Sequence, residues 1–223
     1  TSLTSILPCS SPESTADSHA FTLLLTFSHW KVGLRIGGVL LAAGEGRRFG
    51  GNKLLARING VPVILLSLEA LKEIERVVVV GAYAEELMPL LKDEIVIYNP
   101  KWKEGLSSSV RIGLRFFSDF DGVIFHLADM PFVKPFTVKR LIDSFDPNNC
   151  YAVVPQHNGR RGNPVLVSKI LFGRANELRG DEGFRSLLNE AERSGKLCKV
   201  EAGEEVLIDI DTKDDLMRFS SFG

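Results

Sequence analysis

The stretch VLLAAGEGRRFGGNKLL, residues 39–55, joins an apolar run to a loop holding four glycines, two arginines and a lysine. With the residues just before it, the run IGGVLLA (36–42) reads as a strand covered on both faces, because it is continuously apolar instead of alternating. The loop behind it suits an anion: small residues expose backbone N–H groups, while Arg47, Arg48 and Lys53 supply charge. Two familiar phosphate loops fail on spacing. A dinucleotide fingerprint needs a third glycine where Phe49 stands, and a Walker A loop needs Gly-Lys-Ser/Thr where the chain has Asn52, Lys53 and Leu54. A solvated turn carrying surface charge is the other reading of the loop taken alone.

Outward from this stretch, short β-rich runs alternate with longer amphipathic ones. Strands are expected at 36–42, 76–82, 94–99, 121–128, 151–156, 163–168, 196–202 and 204–210. Helices are expected at 63–74, 85–92, 108–120, 134–145, 182–195 and 213–220. This order predicts an α/β fold, a Rossmann-like three-layer α/β/α sandwich around a mostly parallel sheet. In such sheets ligands sit beyond the carboxyl ends of the strands, which directs attention to 43–53, 81–83, 99–111, 129–131 and 209–212.

Residues 1–34 differ. TSLTSILPCSSPESTADSHA is rich in Ser, Thr and Pro without periodicity, and FTLLLTF (21–27) has no basic residue before it to make an export signal. A disordered or non-catalytic extension is expected there, followed by a single domain at 35–223. The 27 basic and 28 acidic side chains leave a net charge of −1, which gives no global attraction to nucleic acid or anionic lipid. No run approaches the roughly 18 apolar residues of a membrane span. Cys9, Cys150 and Cys198 lie far apart without a C-x-x-C pair, so neither zinc nor a disulfide is expected, and a reducing, cytoplasmic setting follows.

Three more places carry candidate chemistry. In NPKWKEGLSSSVRIGL (99–114), one of Ser107, Ser108 and Ser109 can cap the coming helix, and the others offer hydroxyls to a base or ribose. In HLADMPFV (126–133), Asp129 ends a strand at the ligand edge and could hold Mg²⁺ against phosphate oxygens; a turn aspartate is the plainer alternative. His126, on the strand itself, reads as a core residue. In NGRRGNPVLVS (158–168), Arg160 and Arg161 suit an anion and Gly162 permits close backbone approach; solvated loop arginines are the other reading.

The wording of these segments resembles a known family. LAAGEGRRFGGNKLL is similar to the L-A-A-G-x-G/S-x-R-M/F-G-x-x-K signature of nucleotidyltransferases with the nucleotide-diphospho-sugar transferase fold. The segments at 99–114, HLADMP, GRRGNPVL and IDIDTKDDL (208–216) resemble the molybdenum cofactor cytidylyltransferases within it. Lys213 and Asp214 depart from the usual Pro and Glu of the last motif, which touches the helix start more than the chemistry.

The resemblance implies that Leu41, Ala42, Ala43, Gly44 and Gly46 wrap the nucleotide, that Arg48 and Lys53 meet the triphosphate, and that Arg47 occupies a variable position. Ser109 would touch cytosine. Asp129 with Asp211, and Asp209 close behind, would hold Mg²⁺ or Mn²⁺, while Asp211 or Thr212 could also cap the last helix. Arg160, Arg161, Gly162 and Asn163, with Asp181 and Arg185 of RGDEGFRSLL (179–188), would border the acceptor. The implied reaction moves CMP from CTP to the terminal phosphate of molybdopterin, with release of pyrophosphate and hand-over to a recipient molybdoenzyme or its chaperone. A relative using GTP or another phosphate acceptor such as a sugar phosphate, and a non-catalytic cofactor-delivery chaperone, are the competing readings. No nucleic acid or membrane partner is expected.

Overall fold

The computed structural model describes residues 33–220; the expected extension lies, but for residues 33 and 34, outside them. Chain order within the described part is β1 (Ile36–Ala42), β2 (Arg57–Ile58), β3 (Val61–Pro62), α1 (Val63–Glu69), β4 (Glu75–Val80), α2 (Ala84–Leu87) and β5 (Val96–Tyr98). There follow α3 (Leu106–Phe116), β6 (Gly122–Leu127), α4 (Pro135–Ser144), β7 (Ala152–His157), β8 (Arg160–Arg161) and β9 (Val165–Ser168). α5 (Arg185–Arg193), β10 (Leu197–Glu201) and α6 (Lys213–Ser220) complete it.

The main sheet runs β10-β7-β9-β6-β1-β4-β5, with β8 appended to β7. β6, β1, β4 and β5 are mutually parallel, and only β9 and the short β8 run against their neighbours. The expected sandwich with a mostly parallel sheet is therefore the observed one. β1 is central and fully buried, so its continuous apolar run has the anticipated cause. Because side chains alternate across a strand, Val39, Leu41, Val77, Val79, Val123 and Phe125 join the core under α3, while Leu40, Val78 and Ile124 face the other layer. Register then makes the site: Leu41 pairs with Val79 on one side and Leu127 on the other, so β1, β4 and β6 end together. The chain leaves β1 toward β4 on one flank, and β6 returns on the other, which is the crevice-forming reversal of doubly wound sheets.

Several expectations give way. The strand expected at 204–210 is a 3-10 turn, Glu204–Leu207, followed by extended chain. Val206 and Ile210 are fully buried there without a ladder, since their carbonyl and amide bond Asn163 N (2.9 Å) and Asp129 O (2.9 Å) instead. Apolar alternation reports burial, and burial was reached without a strand. The helix expected over 63–74 ends at Glu69 and tightens into i→i+3 bonds through Ile74, and that over 85–92 breaks into a 3-10 turn around Pro89. A β2–β3 hairpin turned by Asn59 (φ 50°) and Gly60 (φ 81°) was not expected.

The cysteine expectation is also wrong: Cys150 and Cys198 form a disulfide, with Cα atoms 5.6 Å apart. The parallel pairing of β7 with β10 sets Cys198 opposite Val153, three residues beyond Cys150, so the sheet erases a separation of 48 residues. The argument for a reducing compartment from cysteine spacing falls with it. Among the described residues, no helix is long and apolar enough to cross a membrane.

Candidate functional site

A cleft of about 500 Å³ opens at the shared carboxyl ends of β1, β4 and β6, within the range typical of small-molecule sites. Its floor is Leu41, Ala42, Leu127, Asp129 and Ser109; one wall is the loop 43–54, and the other is Trp102–Leu106 with Asp181. The three strand ends are stitched across it, Ala82 N to Ala43 O (3.1 Å) and Ala128 N to Leu41 O (3.1 Å).

The basic glycine loop is built from local devices. Gly46 sits in the left-handed region (φ 59°), and its carbonyl accepts Phe49 N (3.0 Å), closing the 3-10 turn Arg47–Phe49. A second turn, Lys53–Leu55, starts at Asn52, whose side chain accepts Leu54 N (3.2 Å); buried Leu54 anchors it. This holds Lys53 pointing inward, with its side chain only 13% exposed.

Lys53 Nζ donates to Asp129 Oδ2 at 2.6 Å and to Asp211 Oδ1 at 2.8 Å, and Arg48 pairs with Asp211 Oδ2 at 2.5 Å. Burial would lower the Lys53 pKa, but the Asp129 and Asp211 carboxylates outweigh it and hold the ammonium above its ordinary value. Ile210 N donates to Asp129 O, which draws the 209–211 segment beside the end of β6. Thr212 and Asp215 form a reciprocal cap at the start of α6: Asp215 Oδ2 accepts Thr212 N (2.7 Å), and Thr212 Oγ1 accepts Asp215 N (3.2 Å). Capping therefore uses Thr212 and leaves the carboxylate of Asp211 to Lys53 and Arg48.

Two carboxylates converge on one cation here, and the buried Asp129 Oδ1 has no partner among the described residues. The paired carboxylates, with an unsatisfied third oxygen, are a donor set that would suit a divalent ion together with phosphate oxygens, in the place the Lys53 ammonium now fills. Asp209 does not join it. It is exposed, and partial desolvation together with the charges of Asp211 and Asp129 raises its carboxyl above the usual range. Among the described residues no group of three or more His, Cys, Asp or Glu side chains is placed to hold a metal.

Of the three serines, only Ser109 lines the cleft. Ser108 Oγ donates to Gly105 O (2.8 Å) or Lys101 O (3.0 Å), and Ser107 is buried with its N–H on Gly180 O (3.0 Å). The start of α3 is capped from afar, since Asp181 Oδ1 accepts Leu106 N (3.1 Å). Gly105 permits this closeness: at φ 94° a Cβ would lie 2.5 Å from the Gly180 carbonyl carbon. Asp181 thus borders the cleft as a helix cap.

The other acceptor candidates are not gathered there. Arg161 donates to Asn189 Oδ1 (2.6 Å) and lies 3.5 Å from Glu192, both on α5. Gly162 does allow a close approach, to the Val206 carbonyl, and Asn163 N bonds the same carbonyl. Arg160 and Arg185 are exposed and line no part of the cleft. Arg47 is 86% exposed at the cleft rim and paired with Glu45 (2.7 Å). Tyr83, Trp102 and Lys103 line the cleft without having been singled out as ligands; their signal was position, directly behind β4 and β5.

Known proteins resemble this chain in sequence and fold. Residues 38–195 match the family described as MobA-like NTP transferase domain. A Thermococcus sibiricus protein named probable molybdenum cofactor guanylyltransferase is 30% identical over 81% of this chain and 95% of its own length. The Escherichia coli molybdenum cofactor cytidylyltransferase is 28% identical over 80% and 92%. Two crystal structures of Rv0371c from Mycobacterium tuberculosis superpose with TM-scores of 0.73 and 0.70 at 27% and 26% identity, over 84% and 85% of this chain and 98% and 100% of theirs; the second is a manganese complex.

Proposed function

Because the chain belongs to the MobA-like NTP transferase family, we propose that it transfers CMP from CTP to the terminal phosphate of a molybdopterin cofactor and releases pyrophosphate. The observation that carries this reading is the convergence of Lys53, Arg48, Asp129 and Asp211, of which Lys53 and Asp129 line a cleft walled by Ala43–Gly46 and floored by Ser109.

The terminal phosphate of the acceptor is largely ionised at neutral pH, so it attacks the α-phosphorus in line without a strong general base. Catalysis then rests on positioning and on charge. Lys53, kept protonated by its carboxylates, moves onto the β- and γ-phosphates, and Arg48 stabilises the leaving pyrophosphate. Asp129 and Asp211, once free of Lys53, would hold Mg²⁺ or Mn²⁺, which would supply positive charge to neutralise phosphate oxygens. The loop 43–46 approaches the nucleotide with its backbone, and Ser109 meets the base.

Cytidine is favoured by the Ala42-Ala43-Gly44 wording and by Ser109. The guanylyltransferase name of the Thermococcus sibiricus relative favours GTP as the second reading. On the acceptor side, Arg161 being spent on α5, the exposed Arg160 and Arg185 are left to meet an anionic group, and a recipient molybdoenzyme or its chaperone takes the product. The setting proposed is the cytoplasm, where nucleoside triphosphates are held. The deciding experiment measures pyrophosphate release with CTP and with GTP, with and without molybdenum cofactor. Release that requires CTP and cofactor together is expected. Equal release without cofactor, or none with either nucleotide, overturns the reading.

A further inference from the structure

A buried amide holds the hydroxyl of Ser109, the serine that lines the cleft among the described residues, itself 2% exposed. Asn99 follows β5 and is 1% exposed. Its backbone N–H donates to Val80 O (2.8 Å) and its carbonyl accepts Trp102 N (3.3 Å), which fixes the side chain under the cleft floor. Asn99 Oδ1 accepts Lys101 N at 2.9 Å. A backbone N–H can only donate, so this bond settles which end of the amide is oxygen and turns Nδ2 toward α3. Nδ2 has two hydrogens and spends one on each hydroxyl, Ser108 Oγ at 2.8 Å and Ser109 Oγ at 2.9 Å.

The two serines differ in what remains. Ser108 passes its own hydrogen to Gly105 O or Lys101 O. Ser109 has no acceptor among the described residues, and it lines the cleft. A hydroxyl carries one hydrogen and two lone pairs. With Asn99 engaging a lone pair from inside, the hydrogen of Ser109 is left for whatever occupies the cleft.

We propose that Asn99 is a positioning residue that makes Ser109 a hydrogen-bond donor, and that this polarity selects a base edge presenting acceptors, such as O2 and N3 of cytosine. The N1–H and N2–H₂ edge of guanine can use only the remaining lone pair of Ser109 and leaves its hydrogen without an acceptor. A site built to hydrogen-bond one edge rejects the edge that leaves its group unpaired. The inference rests on the nucleotidyl-transfer reading and adds to it the residue that decides the base.

The test uses the whole chain and Asn99→Asp. An aspartate keeps the shape and can accept Lys101 N, but it cannot donate, so both serine hydroxyls turn their hydrogens to it. The new charge repels every nucleoside triphosphate alike, so the readout is the ratio of Kd values for CTP and GTP by calorimetry, with melting followed in parallel. The expected result is that Asn99→Asp and Ser109→Ala each erode the CTP preference by about tenfold, and that the double variant erodes it no further. A ratio unchanged in Asn99→Asp while melting falls, or losses that multiply in the double variant, overturns the proposal. Should Asn99→Asp not fold, Ser109→Ala decides alone, and an unchanged ratio overturns it. A native chain that binds GTP in preference overturns the selection of cytosine, whereas one that binds neither nucleotide overturns the nucleotidyltransferase reading itself.

Discussion

Two arginine-bearing segments of similar wording end in opposite circumstances. GRRFGGNK leaves the central strand of a mostly parallel sheet and turns Lys53 onto Asp129 and Asp211, with Arg48 on Asp211, beside the cleft. NGRRGNP leaves β7 next to the sheet edge and folds back on its own neighbours, with Arg161 on α5 and Gly162 on Val206. The difference is position. A loop behind a central parallel strand has the ends of two neighbouring strands beside it and no chain above it, so its charges meet a ligand. A hairpin beside an edge strand has a helix within reach, and its charges find internal partners first.

Removing the central ammonium is the largest test of that contrast. Lys53→Ala and Asp129→Ala are each expected to lower turnover about 10³-fold, in line with the loss of one preorganised charge at a phosphoryl centre, measured as pyrophosphate release under saturating nucleotide. Asp129→Ala should retain measurable CTP binding, since Leu41–Gly46 and Ser109 remain. Loss of binding together with turnover would mean that Asp129 shapes the cleft more than it acts there.

The edge strand of the second region is held covalently. Reducing Cys150–Cys198, or replacing Cys198 with serine, should lower unfolding free energy by about 4 kcal/mol, the loop-closure value for a bridge of this span. Denaturant unfolding with and without reductant measures it. Nucleotide affinity should stay within about twofold, since β7 and β10 lie across the sheet from the cleft.

β6, which ends at the cleft beside Asp129, carries a pH-dependent weakness. His126 is fully buried, and its ring makes no hydrogen bond among the described residues. Burial lowers its pKa from 6.5 to about 4, with a backbone contact at Met130 opposing. The folded state keeps the ring neutral, while the unfolded chain takes up a proton below its ordinary pKa. The stability tied to His126 is thus complete above pH 6.5 and drains away as pH falls toward 4, reaching a loss of about 3 kcal/mol. The native chain and His126→Met, unfolded by denaturant at pH 7.5 and 4.5, should differ by that slope. Equal slopes would place the acid sensitivity elsewhere.

The smallest effect belongs to the hairpin. Arg161→Ala removes its bond to Asn189 and should cost about 1 kcal/mol of stability, with CTP affinity unchanged. A clear rise in KM for the pterin acceptor without loss of stability would move Arg161 from the α5 contact to the acceptor site.

Much of this was legible from residues. β1, β6, α4 and α6 lie within a residue or so of their expected bounds, because long apolar runs and strong periodicity dominate there. The loop 43–53 and Asp129 were found because chain order places them behind strands. Legibility failed where burial had a different cause. Val206 and Ile210 alternate like a strand yet are buried by single bonds to Asn163 and Asp129. Asn59-Gly60 is an overt hairpin signal, but the strands it joins are two residues each, too short for an alternating pattern. Asp181, 75 residues from Leu106, could not be recognised as its cap by any local pattern.

What the sequence by itself determined is the class of fold, the family and the loops that meet the ligand, because these depend on periodicity and on chain order. Only the tertiary structure decided which polar groups are spent internally and which remain. Ser107, Arg161, Asp181 and the Cys150–Cys198 pair have partners far along the chain, Ser108 is spent on the loop just before its helix, and Lys53, Asp129 and Ser109 are what is left facing the cleft. The physical reason is that a hydrogen bond or a disulfide is set by distance in space, which the register of strands distant in sequence establishes.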